Sequence, residues 1–180
     1  MDMQLQGQHA LVTGSTAGIG FAIAKALAAE GATVTINGRS EASVGKALQK
    51  LQALLPEASL RGVTADAATA KGCEQLTAGG PPIDILVNNM GIFDPKPFEE
   101  IPDSEWTRFF ETNVMSGVRL ARAVLPGMKQ RNRGRIVFIS SESGICPPAE
   151  MVHYGMTKSA QLSISRGLAE TCAGTAVTVN

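Results

Sequence analysis

Short apolar runs rich in β-branched residues alternate along the chain with longer stretches whose apolar residues recur at helical spacing. The runs fall at His9 to Thr13, Thr33 to Asn37, Leu60 to Ala65, Ile83 to Asn88, Arg135 to Ser140 and Ala176 to Asn180. Several are apolar throughout, the pattern of strands covered on both faces of a parallel sheet. Ile19, Ile23 and Leu27 share one face of a helix over Ile19 to Glu30, which Gly31 stops. Val44, Leu48, Leu51 and Leu55 mark another, ended by Pro56. Asp103 to Gln130 reads as one long helix bearing the only tryptophan, Trp106, with Pro126 expected to kink or shorten it, and Tyr154 to Cys172 as the last helix. The alternation predicts an α/β fold, a doubly wound parallel sheet with helices on both faces.

Composition narrows the class. The 180 residues are 44% hydrophobic and 18% charged, too apolar for disorder and enough for one globular domain over residues 1–180. Sixteen Lys and Arg against sixteen Asp and Glu leave no charge excess for nucleic acid to exploit. The basic run Lys129, Arg131, Arg133 and Arg135 reads as cations complementing a helix C-terminus. Cys73, Cys146 and Cys172 form no CxxC pair, so they read as reduced thiols of a cytoplasmic protein, with neither a disulfide framework nor a metal site. Met1 to His9 lacks the marks of an export signal, and no apolar run reaches the ~18 residues of a membrane span.

Two segments carry chemistry. Thr13 to Gly20, Thr-Gly-Ser-Thr-Ala-Gly-Ile-Gly, follows the first strand and opens the first helix. Glycines there permit a tight turn and close backbone approach, while free N–H groups and the positive helix end attract a pyrophosphate. At the end of the second strand stands Asn37-Gly38-Arg39-Ser40, with no carboxylate to repel a ribose 2′-phosphate and a guanidinium suited to bind it, so NADP(H) is favoured over NAD(H). The second segment is Ser140-Ser141-Glu142-Ser143-Gly144 followed by Tyr154-Gly-Met-Thr-Lys158. Tyr154, the only tyrosine, and Lys158 stand four apart on a helix and share a face. An ammonium beside a phenol favours phenolate, which fits the phenol to exchange a proton with a carbonyl or alcohol oxygen.

In these motifs, together with Asn88-Asn-Met-Gly91, the chain resembles the short-chain dehydrogenase/reductase family from about Gln6 to Asn180. Thr13 to Gly20 is similar to its TGxxxGxG loop and Asn88 to Gly91 to its NNAG motif. The resemblance implies a Rossmann-type α/β/α fold and a hydride transfer between NADP(H) and a small carbonyl or secondary alcohol, as in 3-oxoacyl-carrier-protein reductases. It assigns Asn113, Ser141, Tyr154 and Lys158 to catalysis. Tyr154 would be proton donor or acceptor, Ser141 would polarise the carbonyl, Lys158 would bind the nicotinamide ribose, and Asn113 would hold a water linked to Lys158. The cofactor would meet Gly14, Ser15, Thr16, Gly18, Ile19 and Gly20 in the loop, Arg39 and Ser40 at the 2′-phosphate, Asp66 and Ala67 at the adenine, and Asn89, Gly91, Tyr154 and Lys158 near the nicotinamide. It also implies a homodimer or homotetramer paired through the long helix and the tyrosine helix.

The chain departs from the family pattern at three places. Met90 stands where the motif has alanine, and Ala17 where many NADP-preferring members carry a basic residue, which leaves the 2′-phosphate to Arg39 and Ser40. Members usually continue past the position of Asn180 with a substrate lid and a last strand, so the chain is expected to be truncated after its sixth strand. The rival expectation is a non-catalytic NADP-binding fragment or pseudoenzyme without that lid. A Rossmann methyltransferase would account for neither Tyr154-x3-Lys158 nor Ser141. Cys146 and His153, close in sequence, read as pocket lining or packing in place of a thiol catalyst, and His9 as structural.

Overall fold

In the computed structural model, which describes residues 3–180, the predicted strands assemble into one sheet. Residues 1 and 2, where the segment read for an export signal begins, lie outside the described residues. The strands are β1 (His9–Val12), β2 (Thr33–Gly38), β3 (Leu60–Thr64), β4 (Ile85–Asn88), β5 (Gly134–Phe138) and β6 (Val177–Val179), each within one or two residues of its apolar run at either end. They lie in the order β3-β2-β1-β4-β5-β6 and every pair is parallel. The order reverses between β1 and β4, where Leu11 stands beside Leu86. A crevice opens at the C-terminal ends of strands at such a reversal, and that is where ligands bind in open α/β sheets.

The continuous apolar runs are explained by two cores, one on each face. Ala10, Val12, Val34, Ile36, Ile85 and Val87 pack with Ala24 and Ala28 of α1 (Gly18–Ala29) and Val44, Ala47 and Leu51 of α2 (Glu41–Leu54). The alternate residues Leu11, Leu86, Ile136 and Phe138 pack on the other face with α3 (Ala70–Thr77), α5 (Ser116–Gln130) and α6 (Val152–Thr171). The period of a strand sends neighbours to opposite faces, so a strand covered twice has no polar positions to show.

The expected single helix over Asp103 to Gln130 is divided into α4 (Asp103–Phe110), a π turn (Glu111–Met115) and α5. Pro126 does not shorten it: α5 runs on to Gln130. Pro126 lies at an exposed position near the helix end. The regular ladder is interrupted instead in the π turn, around Asn113.

The basic run is engaged within the chain. Lys129 Nζ donates to the carbonyl of Thr171 at the end of α6 (2.5 Å), Arg131 and Arg133 pair with Asp84 (3.6 and 3.3 Å), and Arg135 donates to the carbonyl of Ala176 (2.8 Å). His9 is structural as expected, its ring nitrogens bonded to Thr35 Oγ1 (2.8 Å) and the Pro81 carbonyl (3.0 Å). Among the described residues no helix is long and apolar enough to cross a membrane.

Candidate active site

The loop from Thr13 to Gly20 leaves β1 at the sheet reversal. Gly14 and Gly18 have φ of +59° and +57°, the left-handed region that side chains other than glycine enter only with strain. Gly20 has no room for a side chain: a methyl there would collide with Nδ2 of Asn89 and stand 2.6 Å from the carbonyl of Gly14. Ala17 provides no side-chain cap for α1, which leaves the first-turn N–H groups of Gly18, Ile19 and Gly20 for a ligand.

A second layer holds this loop in place. Thr13 Oγ1 accepts the N–H groups of Asn89 and Met90 (3.0 Å each), and Asn89 Nδ2 donates to the carbonyls of Thr13 (2.9 Å) and Gly14 (3.1 Å). Asn37 reaches across the other side, accepting from Gly14 N (3.3 Å) and donating to the carbonyls of Val63 (3.2 Å) and Ala65 (3.0 Å). Ser15 belongs to this brace and not to the cleft: it is wholly buried, donates to the Val12 carbonyl (2.7 Å) and accepts from Asn37 N (2.9 Å). Ser40 is the N-cap of α2, accepting from Ser43 N (3.3 Å) and donating to Ser43 Oγ (3.0 Å).

The crevice itself is a cleft of about 490 Å³. Gly14 and Thr16 line it at the phosphate loop, Gly38 and Arg39 at the end of β2, Asp66 to Ala68 after β3, and Asn89 to Ile92 after β4. Of the residues assigned from sequence to a pyrophosphate, a 2′-phosphate and an adenine, Gly14 and Thr16, Arg39, and Asp66 and Ala67 lie along this one cavity. Arg39 is exposed in it, with no hydrogen bond or ion pair among the described residues. Arg108 and Thr112, which the sequence reading did not single out, line the same cleft, and Arg108 is held by a bidentate pair with Glu105 (2.9 and 2.6 Å). An uncapped helix end, a glycine with no space for a methyl and an extended cleft with a free guanidinium fit a dinucleotide.

Lys158 and Asn113 lie beside Gly91, which lines the cleft, and Tyr154 lies beside Lys158. A methyl on Gly91 would stand 3.8 Å from Nζ of Lys158 and 3.6 Å from Oδ1 of Asn113. Tyr154, in the first turn of α6, has its ring centroid 5.5 Å from Lys158 Nζ and stacks edge-on with the exposed ring of Phe93 at 6.3 Å. The short turn after β5 (Glu142–Gly144) packs on the same helix: Ser159 Oγ donates to the Gly144 carbonyl (2.7 Å), and Ser140 Oγ to the Lys158 carbonyl (3.4 Å). Ser141 caps that turn, accepting from Ser143 N at 3.2 Å. Lys158 is 5% exposed, and burial pulls its pKa down from 10.5 to about 8.

Asn113 is committed to the structure more fully than its assignment supposed. Its Oδ1 accepts from Ile92 N (2.8 Å), and its Nδ2 donates to the Ile92 carbonyl (2.9 Å) and to Thr157 Oγ1 (3.0 Å). The side chain that accepts from Lys158 Nζ is that of Gln161, which the sequence reading passed over. Its place was readable only as a polar residue one turn beyond Lys158 on an otherwise inward face. Cys146 and His153 are separated by burial: Cys146 is exposed, while His153 is buried against Phe109 (4.0 Å between ring centroids) and Trp106 (5.9 Å).

Residues 8–180 match the family model for short chain dehydrogenase. The oxidoreductase YvaG of Bacillus subtilis (strain 168) is 54% identical over 180 residues, which cover 100% of this chain and 68% of that protein. The 3-oxoacyl-[acyl-carrier-protein] reductase FabG of Escherichia coli (strain K12) is 35% identical over 178 residues, covering 99% of this chain and 72% of FabG. Among solved structures, L-sorbose reductase from Gluconobacter frateurii, complexed with NADPH and L-sorbose, aligns with a TM-score of 0.94 and 33% identity over 100% of this chain and 70% of that one. The phosphate loop, the parallel sheet and the Tyr154–Lys158 pair thus fall inside a match that runs through nearly the whole sequence, and the chain belongs to the short-chain dehydrogenase family of NAD(P)-dependent oxidoreductases.

Proposed function

We propose that the protein reduces a small carbonyl compound with NADPH, or oxidises the matching secondary alcohol with NADP+, and that Tyr154 exchanges the proton. The observation that carries this reading is the placement of Tyr154 beside the buried Lys158, 5.5 Å from ring centroid to ammonium, with Lys158 Nζ next to the cleft-lining Gly91. A bound dinucleotide supplies or accepts the hydride. Tyr154 gives its phenolic proton to the carbonyl oxygen as the alcohol forms, and takes it back in the reverse direction. Ser141 donates a hydrogen bond to the same oxygen. Its hydroxyl oxygen accepts from Ser143 N (3.2 Å), while its proton is committed only to a long contact with Ser143 Oγ (3.3 Å) and can turn toward a substrate. Lys158 presents its cleft-side N–H to the nicotinamide ribose. Asn113 fixes the Ile92 backbone that forms the adjoining wall.

The preference for NADP(H) is proposed on Arg39, the unpaired guanidinium at the end of β2, because Asn37 is turned inward as a brace and Ser40 is a helix cap. A homo-oligomer is proposed on the apolar groove of about 420 Å³ between α5 and α6, walled by Val118, Leu125, Ile164 and Leu168. We place the protein in the cytoplasm.

Three outcomes are expected. Tyr154→Phe retains NADPH binding, followed by fluorescence, and loses ketone reduction by about 10²- to 10⁴-fold. Unchanged turnover would remove Tyr154 from the reaction. Arg39→Ala weakens NADPH binding by about tenfold to a hundredfold, the worth of charge-assisted hydrogen bonds, and leaves NADH binding as it was. Equal losses for both cofactors would contradict the assignment.

The third outcome concerns stability. Lys158 is charged in both states below pH about 8, so the folded protein bears the full cost of its burial there. Between about 8 and 10.5 the folded state has released the proton and the unfolded chain has not, so stability rises with pH across that window, by about 3 kcal/mol in all. Lys158→Met is therefore more stable than the parent in urea at pH 7, and the gap closes toward pH 10. A gap independent of pH would show that the charge is not the source.

A further inference from the structure

We propose that Gln161 is the positioning residue of this active site, its side-chain amide bridging the Lys158 ammonium to the Asn113 carbonyl in the π turn and so aiming Lys158 at the cleft. The proposal rests on the reading that Lys158 serves the nicotinamide end. Gln161 is 1% exposed, among the largest wholly buried side chains of the protein. At an inward helix position an amide is a costly choice, since leucine or methionine fills the space without polar groups to satisfy. Here both ends are satisfied: Oε1 accepts from Lys158 Nζ at 3.1 Å, and Nε2 donates to the Asn113 carbonyl at 2.6 Å. The orientation is forced, because an ammonium can only donate and a carbonyl can only accept.

The bridge decides how Lys158 spends its three donors. One goes to the Ile139 carbonyl at the end of β5 (2.7 Å) and one to Gln161, which leaves the third for the side where Gly91 and Tyr154 lie. The Gln161 side chain links Lys158 directly to the Asn113 carbonyl. It ties α6 to the π turn while holding the ammonium. The groups packed around Lys158 are otherwise neutral. Tyr154 faces it. Glu111 of the π turn pairs with Arg119, His153 of α6 is packed against Trp106 and Phe109, and Glu142 of the turn after β5 is exposed. Burial is the cause of the lowered Lys158 pKa, and the two carbonyl dipoles of Ile139 and Gln161 are what the ammonium has in place of a counter-ion.

The test follows the Lys158 side chain by NMR through a pH titration of the 180-residue chain and of Gln161→Leu and Gln161→Glu, with NADPH-dependent ketone reduction measured over the same pH range. The parent is expected to titrate near 8, below the usual lysine value because of burial. Leucine fills the space but removes the acceptor, and lowers the midpoint by about one unit; glutamate adds a charge beside the ammonium and raises it by at least about one unit. The pH profile of kcat/KM moves in the same opposite directions. A residue that merely fills space would leave all three midpoints together, and that result overturns the proposal. If the leucine variant does not fold, the rise with glutamate, of nearly the same shape, decides alone. Opposite shifts in a parent that reduces no ketone would support the bridge and refute the reductase reading, while coincident midpoints in an active parent would do the reverse.

Discussion

Burying the ammonium of Lys158 without a carboxylate partner is the constraint around which this end of the molecule is organised. Such a charge is stable in the interior only if dipoles replace its hydration, and they must come from fixed places. The Ile139 carbonyl comes from the end of β5, the Gln161 amide from the next turn of the same helix, and Gln161 is in turn held by a carbonyl of the π turn. Three elements distant in sequence are thereby tied at one point. The cost is carried by the rest of the fold, whose two cores pack all the strands of a single sheet. A stability cost of this kind, at the proposed site of chemistry, is the usual mark of a group retained for function.

The same sheet edge supplies the rest of the site. Parallel register brings the ends of β1, β2, β4 and β5 to one side, so the loops that follow them meet without long connections. Thr13 and Asn89 then lock the loop after β1 to the loop after β4, and Asn37 locks it to β2 and β3. Met90 fits this scheme although the motif has alanine there: its backbone N–H is the part that binds Thr13, and its side chain packs at the edge of the core. The π turn serves the opposite wall, where Asn113 pairs with both backbone groups of Ile92 while its own carbonyl receives Gln161.

The sequence made the strand positions, the glycine loop and the Tyr154–Lys158 pair legible because each follows from a local rule: apolar runs, positive φ or close approach, and helical spacing. Ser15, Ser40 and Asn113 were harder to read. Each lies at an expected place, but the hydroxyl or amide is spent on backbone groups whose position depends on tertiary structure. The π turn had no local marker. Pro126 looked like the break in the long helix, whereas the actual interruption is set by the packing of Asn113 against Ile92 and Gln161. Gln161 could be seen only as a polar residue on an inward face, and its meaning required knowing that Lys158 is buried beside it.

The most direct test of this account is a crystal structure of the chain with NADPH. The account predicts a dinucleotide along the cleft from the Gly14 to Gly20 loop to Gly91, its 2′-phosphate on Arg39, and a nicotinamide ribose hydroxyl within hydrogen-bond distance of Lys158 Nζ, with the Ile139 and Gln161 contacts of that ammonium retained. A dinucleotide seated elsewhere, or a Lys158 that has let go of both inner partners to reach it, would contradict the account.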